Sequence, residues 1–148
     1  MARVVVTGGA GYIGSHAVRS LVDAGHAVAV VDNLSAGHPQ AVPDGVPLVR
    51  ADVRDAAAVR QALRDHGADA VMHFAASSLV GESVTDPQKY YINNLAGTLS
   101  LLEAMREAGC DRLVFSSTGA VYGNADSKAL PESYACVPIN PYGSSKWM

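Results

Sequence analysis

The sequence predicts an α/β chain built on a doubly wound parallel sheet, and three observations predict it. Short runs rich in β-branched residues alternate with stretches of helical periodicity, glycine stands just past three of those stretches, and a glycine-rich loop joins the first run to the first helix.

The runs fall at 3–7 (RVVVT), 27–31 (AVAVV), 46–50 (VPLVR), 69–74 (DAVMHF) and 112–117 (RLVFSS). They have strand lengths and are almost continuously apolar, as strands covered on both faces are. Helical patterns run over Tyr12–Ala24, Ala56–His66 and about Pro87–Ala108, ending at Gly25, Gly67 and Gly109. Glycine there supplies the left-handed residue that closes a helix. Asp55 is placed to cap the second helix, while Asn140 followed by Pro141 starts a last one. Parallel neighbours need crossovers, and right-handed crossovers distribute helices over both faces of the sheet. Two stretches interrupt the alternation, 32–45 and 118–141, the latter with three prolines, and loops of that length usually carry function. One domain over residues 1–148 is expected.

At 148 residues the chain can bury roughly two-thirds of its unfolded surface, enough for a core without staples. A net charge of -3 and a pI near 5.9 provide no basic field for nucleic acid. Cys110 and Cys136 have neither C-x-x-C spacing nor a histidine pair beside them, so no metal is expected and both thiols read as idle in a reducing compartment. No leader pattern and no run of about 18 apolar residues is present, which predicts a cytoplasmic protein without a membrane partner.

TGGAGYIG, Thr7–Gly14, contains Gly9-x-Gly11-x-x-Gly14 and also Gly8-x-x-Gly11-x-x-Gly14. Either pattern gives a tight turn, close backbone approach to a pyrophosphate, and free N–H groups at a helix N-terminus. Placed between a strand and a helix, the motif reads as a dinucleotide loop. Asp32 follows Gly14 by 18 residues and ends the second strand. A carboxylate there accepts from a ribose diol and repels a 2′-phosphate, and DNLS offers no arginine to reverse that preference, so the cofactor expected is NAD. Alone, Asp32 could equally open a turn with Asn33. Asp52, beside Val53, reads either as an adenine contact or as a helix-start residue.

HFAA, 73–76, ends the fourth strand with small residues against which a dinucleotide can lie. His73, between Met72 and Phe74, fits a core histidine better than a base. Asn93 and Asn94 interrupt the long helical pattern; one amide could turn toward the crevice, or both could face solvent. Ser116, Ser117 and Thr118 put hydroxyls at the end of the fifth strand, able to donate and accept at once. Tyr142 and Lys146 stand four apart on the last helix and share a face, where a cation favours the ionised phenol.

Together, TGxxGxxG, Asp32 in DNLS, Asp52-Val53, HFAA, VGES at 80–83, Asn93-Asn94, FSST and PYGSSK resemble the extended short-chain dehydrogenase/reductase family across residues 1–148, in particular its members that interconvert UDP-glucose and UDP-galactose. The resemblance implies a Rossmann-type fold holding NAD tightly through Gly8, Gly11, Tyr12, Ile13 and Gly14, with Asp32, Asn33, Asp52 and Val53 on the adenosine side. Phe74, Ala75, Ala76, Asn93 and Ser116 are implied contacts further along the cofactor. Tyr142 is implied as base on the sugar 4-hydroxyl, Lys146 as the residue that holds the nicotinamide ribose and assists the phenol, and Thr118 as the ligand of the reacting oxygen. A UDP-hexose is the implied substrate, and a homodimer joined through the helix at about 87–108 and the Tyr142/Lys146 helix is the implied assembly.

Two departures stand out. Ser78 occupies a place where some members carry lysine, and the family's further strand and C-terminal substrate domain lie outside this sequence. An NAD-binding fragment without turnover is therefore the alternative reading, with other nucleotide-sugar epimerases or dehydratases beside it. The dehydratases carry an Asp-Glu pair after the threonine, whereas Gly119-Ala120 follows Thr118 here. A terminal helix of two turns is marginal in isolation, so its order must come from docking on the sheet or on a partner, and Tyr142 and Lys146 are expected to be poorly ordered and silent in a chain that ends at 148.

Overall fold

Residues 1–125 and 129–148 are described by the computed structural model, and the chain divides into two compact units, 1–75 with 97–116 and 76–96 with 117–148. The first unit holds a sheet of five strands: β1 (Arg3–Thr7), β2 (Ala27–Asp32), β3 (Leu48–Arg50), β4 (Ala70–His73) and β5 (Leu113–Phe115). All neighbours are parallel, in the order β3-β2-β1-β4-β5, with Val5 opposite Ala29 on one side and Val71 on the other.

Side-chain alternation sorts the apolar runs onto two faces. Val5, Val31 and Val71 meet Val59 and Leu63 of α2 (Ala56–His66) and Leu101 and Met105 of α5 (Gly97–Ala108). Val4, Val6, Val28 and Val30 meet Val18 of α1 (Tyr12–Asp23). The sheet is thus covered on both faces, which is why its strands read as continuous apolar runs. Each fully buried valine contributes roughly 1.5–3 kcal/mol relative to exposure.

The predicted stops are present as one motif used three times. Gly25, Gly67 and Gly109 have positive φ. Each donates its N–H three residues back, and the residue after it donates five residues back: His26 to Leu21, Ala68 to Leu63, Cys110 to Met105. Asp55 caps α2 by accepting from the Ala58 N–H at 3.0 Å. β3 is shorter than the sequence suggests, starting at Leu48 instead of residue 46. Pro47 accepts from the Val30 N–H through its carbonyl but has no N–H of its own to extend the ladder.

The second unit contains α3 (Val80–Thr85), α4 (Pro87–Tyr90), a π-helical turn (Tyr91–Ala96), a 3-10 turn (Gly119–Tyr122) and α6 (Pro141–Trp147). α3 was not expected, and the helix expected over 87–108 is in fact α4, the π turn and α5 in succession. Asp86 separates α3 from α4, accepting from the Lys89 N–H at 3.2 Å ahead of Pro87. Tyr90 is fully buried, its hydroxyl 2.7 Å from both the Leu79 carbonyl and Glu82 Oε2. Burial and the Glu82 carboxylate push this phenol up to about 12.

α6 begins as the sequence predicts: the Asn140 side chain accepts from the Gly143 N–H at 2.8 Å and Pro141 is the first helical residue. It is docked, packing on α3, α4, the π turn and the 3-10 turn. A Cβ on Gly143 would lie 2.6 Å from the Ala120 carbonyl oxygen, so glycine permits that approach. The loop predicted at 118–141 holds the 3-10 turn, and its residues 126–128 lie outside the described residues.

Candidate functional site

In the first unit the loop from β1 to α1 is shaped by contacts that exclude side chains. Gly8 has φ +73 and donates to the Val31 carbonyl at 2.8 Å. A Cβ there would lie 2.5 Å from the Ala75 nitrogen, so the exit of β4 passes directly against the loop. A Cβ on Gly14 would collide with the Gly8 carbonyl oxygen. Gly9 instead faces the Val30 side chain, 2.7 Å from a Cβ placed on it, so it serves packing on β2. α1 opens on Gly11 with no side-chain cap and no acidic residue in its first turn. That leaves backbone N–H groups and the positive end of the helix dipole available to an anion. Tyr12 and Ile13 beside it are 84% and 61% exposed.

Asp32 is buried at the end of β2, and both of its oxygens are engaged. Oδ2 accepts from the Ala10 N–H at 3.0 Å and Oδ1 from the Leu34 N–H at 2.8 Å. The His38 N–H donates to the Ala10 carbonyl at 2.9 Å, so Ala10 is held from both sides. Asp32 therefore opens the DNLS turn and anchors the glycine loop together, and each oxygen keeps a further lone pair for a diol. Asn33 donates to Asp52 Oδ2 at 3.1 Å. Arg54 grips the same carboxylate through Nε at 2.8 Å, Nη2 at 2.7 Å and its backbone N–H at 2.9 Å. Chiefly through that side-chain pairing, Asp52 is held well below the usual carboxylate range. The cap is Asp55, so Asp52 is free of capping α2. Sequence reasoning missed Arg54, although its position two residues after Asp52 was a usable signal.

Phe74 donates its N–H to the Thr7 carbonyl at 2.9 Å, and Ser116 donates to the His73 carbonyl at 3.1 Å. Phe74, Ala75, Ala76 and Ser116 are all half-buried. His73 is 1% exposed, with Nδ1 2.6 Å from Thr7 Oγ1 and Nε2 3.1 Å from Thr98 Oγ1. It ties β1 and β4 to α5 as a core histidine. Among the described residues no cluster fit for a metal occurs. An uncapped helix start, a glycine cradle closed to any Cβ and a carboxylate at the end of the second strand form a set suited to a dinucleotide with an unphosphorylated ribose.

In the second unit, α6 carries Tyr142 and Lys146 one turn apart. Tyr142 stacks edge-on against Tyr90, with centroids 6.3 Å apart at 77°. Lys146 is 6% exposed, and desolvation pulls its ammonium down to about 8. Ser117 Oγ donates to the Lys146 carbonyl at 3.3 Å. Thr118 caps the 3-10 turn, accepting from the Ala120 N–H at 3.2 Å, which leaves its proton to donate elsewhere. Asn93 donates to Asn94 Oδ1 at 3.1 Å, and Asn94 is 2% exposed. Ser145, which the sequence did not single out, is 3% exposed between the tyrosine and the lysine.

A model of the NAD dependent epimerase/dehydratase family matches residues 4–148. The chain belongs to that family. Among members of the NAD-dependent epimerase/dehydratase family, UDP-glucose 4-epimerase of Azospirillum brasilense is 54% identical over 146 residues, covering 99% of this chain and 42% of the relative. The enzyme of the same name from Streptomyces lividans is 51% identical over 97% of this chain and 44% of its own length. The crystal structure of UDP-glucose 4-epimerase from Brucella ovis in complex with NAD superposes with a TM-score of 0.95 at 46% identity, covering 99% of this chain and 45% of that one. That of Bifidobacterium longum in complex with NAD+ and UDP gives 0.91 at 38% identity, over 97% and 45%. The chain thus spans less than half the length of the curated relatives it matches. Among the described residues no helix is long and apolar enough to cross a membrane.

Proposed function

We propose that this chain supplies the NAD-binding part and the Tyr/Lys pair of a cytoplasmic epimerase that interconverts UDP-glucose and UDP-galactose. The observation that carries the reading is the glycine loop pinned to Asp32, in a chain about half identical to proteins of that activity over nearly all its length. The glycine loop and the start of α1 receive the pyrophosphate, Asp32 the adenosine ribose, and Asp52 with Val53 the adenine. NAD, when bound there, would supply the hydride acceptor and donor for sugar C4. Tyr142 removes the proton of the 4-hydroxyl as that carbon is oxidised, and gives it back after the 4-keto sugar has turned its other face. Thr118 donates a hydrogen bond to the reacting oxygen, and the Lys146 ammonium favours the ionised phenol and binds the nicotinamide ribose. The catalytic chain is proposed to act as a homodimer, and Leu99 and Leu102 on α5, 59% and 43% exposed, are apolar surface that a second copy would cover.

Purified protein is expected to retain NAD and to convert UDP-galactose to UDP-glucose, while Asp32→Ala lowers NAD retention at least tenfold. Unchanged retention in that variant would remove the ribose assignment. Retention of NAD by the natural polypeptide without any conversion would leave a binding module instead of an epimerase.

A further inference from the structure

We infer that Asn94 is a positioning residue for the Tyr142/Lys146 helix, acting through the hydroxyl of Ser145; the inference rests on the functional reading above. The Asn94 amide bonds to groups outside its own turn. Its Oδ1 accepts from the Ser77 N–H at 2.8 Å, and its Nδ2 donates to the Ser77 carbonyl at 3.0 Å and to Ser145 Oγ at 3.0 Å. Ser145 Oγ in turn donates to the Tyr142 carbonyl at 2.8 Å. One side chain thus joins the segment after β4, the π turn and α6. The hydrogen bonds fix directions as well as distances: Ser145 accepts from Asn94 while donating to Tyr142, which constrains the rotation of α6 about its axis.

Both partners are almost fully buried, at 2% and 3%, so water does not compete for these bonds. α6 has seven residues, too few to be helical on its own, and its orientation is therefore decided by what it docks on. The π turn at 91–96 is the kind of local distortion that is kept where a side chain must be aimed. Tyr142 and Lys146 flank Ser145, so a turn of the helix by a few tens of degrees would swing both functional groups together.

The test uses Asn94→Asp, which keeps the shape and removes the donor, Ser145→Ala, the double variant, and Ser145→Thr, which keeps a hydroxyl. In the natural polypeptide, Asn94→Asp and Ser145→Ala are expected to lower kcat by on the order of tenfold to a hundredfold, the range that a small misplacement produces. KM and NAD retention should stay within about twofold, and α6 amides should exchange hydrogen faster while those of the sheet do not. The double variant should be no worse than the worse single one, because the two residues act as one unit. Ser145→Thr should restore most of the activity. If Asn94→Asp does not fold, the two serine variants carry the test. Unchanged kcat and unchanged α6 exchange in Ser145→Ala, or additive losses in the double variant, would overturn the inference. Should the wild-type protein neither hold NAD nor convert UDP-galactose, the functional reading fails, and faster or unchanged α6 exchange still decides the clamp.

Discussion

Lys146 shows how much a single side chain can be asked to tolerate. Its amine is 6% exposed and titrates near 8, against 10.5 for an ordinary lysine. Between those values the unfolded chain binds the proton and the folded chain does not, so stability contributed by this group rises with pH across that window. Tyr90 works in the opposite direction once its ordinary value of 10.0 is passed, so the comparison belongs below that pH. Between pH 8 and 10 the wild-type protein is expected to gain about 2 kcal/mol over Lys146→Met in urea unfolding, and parallel curves would show that the desolvation is not there. The glycine loop offers a second residue-scale test. Gly8 combines φ +73 with a Cβ position 2.5 Å from the Ala75 nitrogen, so Gly8→Ala should cost about 2–4 kcal/mol, read as a lowered urea midpoint. Candidate residues such as Gly8, Asp32 and Phe74 stand out in the sequence because each closes or directly follows a strand. Ser145 does not, because nothing in its spacing reveals that it holds Asn94.

Elements were legible where their ends carry chemistry. Glycine stops and the Asp55 and Asn140 caps mark boundaries by hydrogen bonds that are local in sequence, so the sequence contains the information. Asn140→Ala should remove about 1 kcal/mol from α6 and raise hydrogen exchange at its first turn while the sheet is unaffected; equal protection in the two proteins would mean that docking alone holds the helix. α3 was not legible because six residues supply less than two turns of periodicity, and its order comes from Tyr90 bonding back to Leu79 and Glu82. The π turn escaped detection for a related reason: Tyr90, Asn94, Gly97 and Leu101 are buried at spacings that an unbroken helix would also give. β3 lost its first two positions to Pro47, a rule of backbone chemistry that outweighs apolar character.

For the whole molecule, a parallel sheet covered on both faces followed from the alternation of runs and helices together with the handedness of crossovers, whereas the order β3-β2-β1-β4-β5 is given by the structure alone. Assembly is a different matter, since an exposed apolar stripe on a helix does not name its partner. If α5 joins two copies, Leu102→Glu should convert a dimer to a monomer in sedimentation equilibrium, and a wild-type monomer at high concentration would end that proposal. Asp32 has a consequence for how such a molecule can change. The carboxylate proposed to choose the unphosphorylated ribose is also the acceptor that fixes Ala10, so preference and loop shape are encoded in one side chain. A lineage, or a designer, replacing it to admit NADP would release the phosphate-binding loop in the same step. The exchange can succeed only with a second substitution that takes over the Ala10 N–H, which makes cofactor preference in this chain a trait of two positions.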